Sequence, residues 1–182
     1  MKMKMLAVGF IACLGASAAA QAPQPYAGMQ ERPIKALSGQ QIADLKAGRG
    51  MGLALAAELN GYPGPSHLLE LASQLGLSRD QQAAVTTMFD AMKAEAIPIG
   101  EHLIEQEEAL DRLFANHTVT PEALQTATTR IGETQARLRE AHLKYHLSTV
   151  ALLQPQQLQQ YAALRGYAGA SPEHHHGTHQ KN

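Results

Sequence analysis

Apolar side chains recur at three- and four-residue steps over two long stretches of the chain, the spacing that lines one face of an α-helix. Val85, Met88, Phe89, Met92, Ala96, Ile99, Leu103, Leu110 and Phe114 form the first stripe, and Leu124, Ile131, Leu138, Tyr145, Thr149 and Leu152 the second. Ser78 and Gln81 stand ahead of the first at the spacing of a capping box, and Thr120-Pro121-Glu122 offers the second an N-cap, a helix-starting proline and an early acid. Pro98, inside the first, predicts a kink. The short turn Asn116-His117-Thr118 makes the two helices antiparallel neighbours. Shorter helices are expected on either side: one capped by Ser38 and weakened by Gly48, Gly50 and Gly52, one capped by Ser66 and stopped by Gly76, and one restarting at Gln154-Pro155-Gln156-Gln157. No segment alternates with period two. The fold class predicted is therefore all-α, a long antiparallel helical hairpin with shorter flanking helices.

The ends read differently. Lys2 and Lys4, the apolar run from Met5 to Leu14 and the small residues Ala18-Ala19-Ala20 have the layout of a secretory signal peptide over residues 1–20, cleaved near Ala20. Periplasmic export is the expectation. Residues 21–37, with Pro23, Pro25 and Pro33 and no apolar period, read as a disordered linker, residues 38–167 as the helical domain, and residues 168–182 as a disordered His-rich tail. The one cysteine, Cys13, lies in the signal, so the mature chain offers no thiolate. Losing Lys2 and Lys4 leaves 13 of the 15 basic side chains against 16 acidic ones, which argues against a nucleic-acid partner. The Gly48–Gly52 cluster lacks the spacing of a phosphate-binding loop. No nucleophile with a base, no paired catalytic carboxylates and no HExxH stand in the sequence, so no enzyme is expected.

Leu77-Ser78-Arg79-Asp80-Gln81 and Leu153-Gln154-Pro155-Gln156-Gln157, one on each side of the hairpin, resemble the paired LTxxQ motifs of the Spy/CpxP family. Leu77, Ser78, Gln81, Leu153, Pro155 and Gln157 carry the resemblance, over about residues 66–167. Gln154, a poor N-cap, predicts a frayed second start. The resemblance implies a hooked helical hairpin, often a homodimer forming a cradle. In function it implies either an ATP-independent chaperone that holds unfolding envelope proteins or a sensor or buffer of heavy metals, with a membrane signalling protein as a possible partner. A thin apolar stripe with no Trp and 3 Phe independently suits pairing with a second copy.

His142 and His146, four apart on a predicted helix, face one side and could share a metal ion. Folding the hairpin about residue 118 brings Met88, Asp90 and Met92 near them, a donor set suited to Zn, Ni, Co or Cu. The alternative is that His142 edges the apolar stripe and His146 is surface; His67 and His102 read as surface too. His174, His175, His176 and His179 in the tail are a compositional metal-binding signal. No cofactor is required for the fold. The same hairpin would set Glu101 beside Arg137 and Glu108 beside Arg130, pairs that help fix register.

Overall fold

The computed structural model describes residues 24–167, so the signal segment and the tail histidines His174, His175, His176 and His179 lie outside the described residues. Every regular element among the described residues is helical. The order is α1 (Gly39–Lys46), α2 (Leu55–Glu58), α3 (Pro65–Glu70), α4 (Arg79–Ala115), α5 (Pro121–Leu152) and α6 (Pro155–Leu164), preceded by a single 3-10 turn, Met29–Glu31. α4 and α5 pack along each other as the antiparallel pair, with α1 and α3 laid against α4 and the short α2 against α5. α4 runs as one helix through Pro98.

Two apolar clusters hold the hairpin, one toward each end. Near the turn, Ala96 and Leu103 meet Ile131 and Leu138, covered by Leu45 of α1 and by Ile34 and Leu37. Ile34 and Leu37 of the expected linker are thus part of the core, and Lys35 Nζ pairs with Asp111 at 3.5 Å. α1 seats closely because Gly100 presents no side chain: a Cβ there would stand 2.7 Å from the Leu45 carbonyl oxygen. At the open end, Leu68, Leu75, Leu77, Val85, Leu153 and Tyr161 form the second cluster.

Local start signals act largely as the sequence predicts. Ser38 and Ser78 each take part in a complete capping box, and Thr120 Oγ1 accepts from Ala123 N at 3.2 Å. The third helix instead begins two residues earlier than expected, with Gly64 rather than Ser66 as N-cap and Pro65 as its first residue. The stretch from Ser38 to Leu59 is two short helices rather than one, broken after Ala47 where Gly48, Met51 and Gly52 take left-handed backbone angles. The expected Glu101–Arg137 and Glu108–Arg130 pairs do not form. His102 and Gln106 line a surface depression together with Arg130 and Arg137, and Glu108 pairs along its own helix with Arg112 at 2.8 Å.

The two motifs meet. Gln81 Oε1 accepts from Ser78 N at 3.0 Å, and Gln157 Oε1 accepts from Gln154 N at 2.9 Å, so each glutamine caps its own helix. Their amides also bond each other, Gln81 Nε2 to Gln157 Oε1 at 2.9 Å and Gln157 Nε2 to Gln81 Oε1 at 3.1 Å. Gln81 Nε2 further donates to the Leu152 carbonyl at 3.0 Å. The start of α6 is therefore held in place rather than frayed: Pro155 sits at its first turn, the Gln154 carbonyl accepts from Gln157 N at 2.9 Å, and the paired amides tie Gln157 to Gln81. Gln81→Glu keeps the capping acceptor and removes the N–H donors, so it isolates the cross-motif bonds. It should cost about 1–3 kcal/mol in urea unfolding, and unchanged stability would show that the paired amides contribute nothing.

Candidate metal-binding cleft

Between the two apolar clusters α5 turns an unusual face inward: His142, His146 and Thr149 are all buried. Their partners come from Gly61-Tyr62-Pro63-Gly64-Pro65, a segment whose composition marks a break and whose prolines pack in the interior. The Tyr62 carbonyl accepts from His146 Nδ1 at 2.6 Å, and the Pro63 carbonyl accepts from Thr149 Oγ1. A carbonyl can only accept, so His146 Nδ1 carries a proton, and in the neutral ring it is Nε2 that holds the lone pair. Gly64 is required by this contact, since a Cβ there would lie 2.7 Å from His146 Nε2.

His142 is 3 % exposed, and its Nε2 is buried with no hydrogen-bond partner. Burial, aided by the charge His146 would carry, lowers its pKa below the ordinary imidazole value, so the ring is neutral at neutral pH. Both histidines line a cleft of about 500 Å³ shared with Glu58, His67, Met92 and Lys93. Met92 joins the histidines as the sequence predicts, whereas Met88 and Asp90 do not line the cleft, and Asp90 is exposed. His146 is covered by Tyr62 and Gly64 rather than lying on the surface, and His142 is buried beside Gly50.

Glu58, at the cleft wall, has no counterpart among the sequence-predicted site residues. Its carboxylate is 4 % exposed and fully engaged. Oε1 accepts from the Tyr161 hydroxyl, bonds His67 Nδ1 at 3.1 Å and accepts from the Tyr167 hydroxyl at 3.3 Å, while Oε2 accepts from Gly64 N at 3.3 Å. Arg165 Nε stands 3.7 Å away and His146 Nδ1 3.9 Å. His67, read as surface, is thus tied to a buried acid. Burial pushes the Glu58 pKa up, but the bonds from His67, Tyr161 and Gly64 outweigh it and bring the value down to about 2. The same contact and burial raise the Tyr161 hydroxyl far above its usual range. One signal in the sequence could have pointed here: Glu58 is the only acidic or basic residue between Arg49 and Glu70, if histidine is set aside.

As a donor set for a metal, the cleft is partial. Among the described residues no group of three His, Cys, Asp or Glu side chains is arranged to hold an ion. His142 and His146 carry free lone pairs, the Met92 thioether is nearby, and Glu58 is committed to its own partners.

The model of a family described as heavy-metal resistance matches residues 50–160, a span that holds both motifs, Glu58 and the cleft histidines. The chain belongs to this heavy-metal resistance family, with the paired motifs of its Spy/CpxP-like members. No characterised protein and no solved structure matches the chain. The family match accounts for the hairpin and the motifs, while the buried Glu58 cluster is read from this chain's own geometry.

A lowered carboxylate pKa contributes stability that is present above about pH 4.5 and is lost as pH falls from there toward about 2. Glu58→Gln should therefore lose on the order of 3 kcal/mol at pH 7 and show a flatter acid limb in thermal melts across that window. An unchanged melting temperature and acid profile would show that the carboxylate does not hold these elements together.

Proposed function

We propose that this chain is an exported, periplasmic metal-binding protein that takes a divalent zinc, nickel, cobalt or copper ion in the cleft at His142 and His146. The observation that carries the reading is the orphaned His142 Nε2. A buried polar nitrogen without a partner is costly, and a neutral imidazole with a free lone pair has one inexpensive remedy, a Lewis acid. His146 supports it: its Nδ1–H is anchored to a backbone carbonyl, the orientation that aims Nε2 at an ion. The thioether of Met92 biases the site toward softer ions and away from magnesium or calcium. Nothing in this role calls for catalysis, and the reading leaves the protein a binder or sensor.

In zinc and nickel titration of the mature chain, His142→Ala and His146→Ala should each weaken binding by about tenfold or more, since each leaves a single imidazole in the cleft. His117→Ala, in the turn, should leave it unchanged. Equal affinity in all three would remove the cleft from the account of metal binding.

A second reading rests on a different observation. Leu55 of α2, Leu59 just after it and Leu147 of α5 are 54, 57 and 63 % exposed, and α2 touches α5, an apolar surface suited to holding unfolded envelope proteins, alone or across a homodimer. Suppression of aggregation of an unfolding client at stoichiometric protein, weakened by Leu147→Glu, is the expected result. Absence of protection by the unsubstituted chain would end this reading and leave the metal one intact.

A further inference from the structure

We infer that the cleft takes its ion together with a small chelating carboxylate, an acid of the class of free histidine or citrate, whose negative charge is received by Lys93 and by the backbone N–H groups of Gly50, Met51 and Gly52. The inference rests on the metal reading of the cleft and adds to it a second ligand and the residues that hold it.

Size and donor count come first. The cleft encloses about 500 Å³. Sites for small organic molecules run from roughly 300 to 1,000 Å³, whereas a bare ion with a few waters, at about 30 Å³ each, would leave most of that space empty. Zinc and its neighbours take about four ligands. The cleft supplies two imidazoles and a thioether, and no group of three His, Cys, Asp or Glu is arranged to hold an ion among the described residues. Glu58 does not fill the gap, because both its oxygens are already bonded. The buried, unpartnered His142 Nε2 thus awaits an ion whose shell the chain leaves incomplete.

The charge of the missing ligand follows from the wall. Lys93 lines the cleft with its ammonium 5.6 Å from the centre of the Phe89 ring, and it forms no ion pair among the described residues. Arg49, also in the wall, is taken by Asp44. Beside Lys93 runs the Gly48–Gly52 segment. A Cβ on Gly48 would stand 3.6 Å from the Lys93 Cα, and one on Gly50 would stand 3.5 Å from His142 Nδ1, so the segment adjoins both the cation and an imidazole of the metal pair. Its backbone takes left-handed angles at Gly48, Met51 and Gly52. The N–H groups of Gly50, Met51 and Gly52 donate to no group among the described residues. Successive free N–H groups in such a turn receive anions. A chelating carboxylate answers every one of these features: its charge meets Lys93 and the turn, its other donors complete the ion's shell, and its carbon packs on the apolar wall of Leu55, Pro65 and Phe89.

The test is equilibrium dialysis of the full mature chain against nickel and radiolabelled L-histidine, with labelled citrate as a second probe. The His142→Ala chain is the reference, so that nickel and acid held elsewhere are subtracted. Above that reference, the acid should be retained at one molecule per chain, and only when nickel is present. Lys93→Met keeps the stem beside Phe89 and removes the charge. It should weaken retention of the acid at least about tenfold, as loss of a charge-assisted hydrogen bond does, and leave the affinity for nickel alone unchanged. Lys93→Arg should restore retention. Imidazole, a nickel ligand without a carboxylate, should be held equally by the unsubstituted chain and by Lys93→Met. Nickel bound above the reference with neither acid retained would overturn the inference and leave the cleft as a metal site, and retention indifferent to Lys93→Met would do the same. Nickel affinity unchanged by His142→Ala would overturn both the inference and the cleft reading beneath it.

Discussion

Burying an ionised carboxylate is costly unless its oxygens are answered, and the answers to Glu58 organise the open end of the molecule. They come from the backbone N–H at the start of α3, from His67 within α3, and from Tyr161, Arg165 and Tyr167 in and just after α6. α3 and α6, which also meet in the apolar cluster at the open end, are thereby fixed around one charge. The arrangement also orders the site, because the segment that carries Gly64 to Glu58 is the one whose Tyr62 and Pro63 carbonyls meet His146 and Thr149. Removing one partner of such a network leaves the others buried and unpaired, which is why its members are expected to act as a unit.

The motif glutamines apply the same principle with neutral groups. A side-chain amide offers both an acceptor and donors, so Gln81 and Gln157 can each satisfy a helix start with the oxygen and reach across to the other helix start with the nitrogen. A carboxylate could do only the first of these. The residue preference at that position thus follows from two simultaneous demands, one local to the helix and one belonging to the packed pair.

The cleft sits where the two apolar clusters stop. There α5 replaces leucine with His142, His146 and Thr149, exchanging apolar packing for groups that must find partners. Two of the three find backbone carbonyls, and His142 Nε2 does not. A fold that keeps an unpaired, neutral nitrogen against a cleft has retained a local instability, and such sites are commonly where ligands bind. Membership in a heavy-metal resistance family agrees with the chemistry of that nitrogen.

By itself the sequence determined the helices, the hairpin and the motifs, because caps and the three-to-four apolar period act within a few residues of where they are written. It also marked His142 and His146, since a four-residue spacing on a helix places two side chains on one side without any knowledge of what they face. What they face was decided only by tertiary structure. Gly61–Pro65 reads locally as a break, and nothing in its composition announces that its carbonyls will reach residues more than 80 positions away. Glu58, an acid in an apolar stretch, becomes a buried hub only because α3 and α6 converge on it, and the contact with Tyr161 spans 103 positions. The failed Glu101–Arg137 and Glu108–Arg130 pairs have the same origin. Complementary charge along two helices sets no rotation about their axes; the apolar stripes set it, and it is His102 and Gln106 that share a surface depression with the arginines.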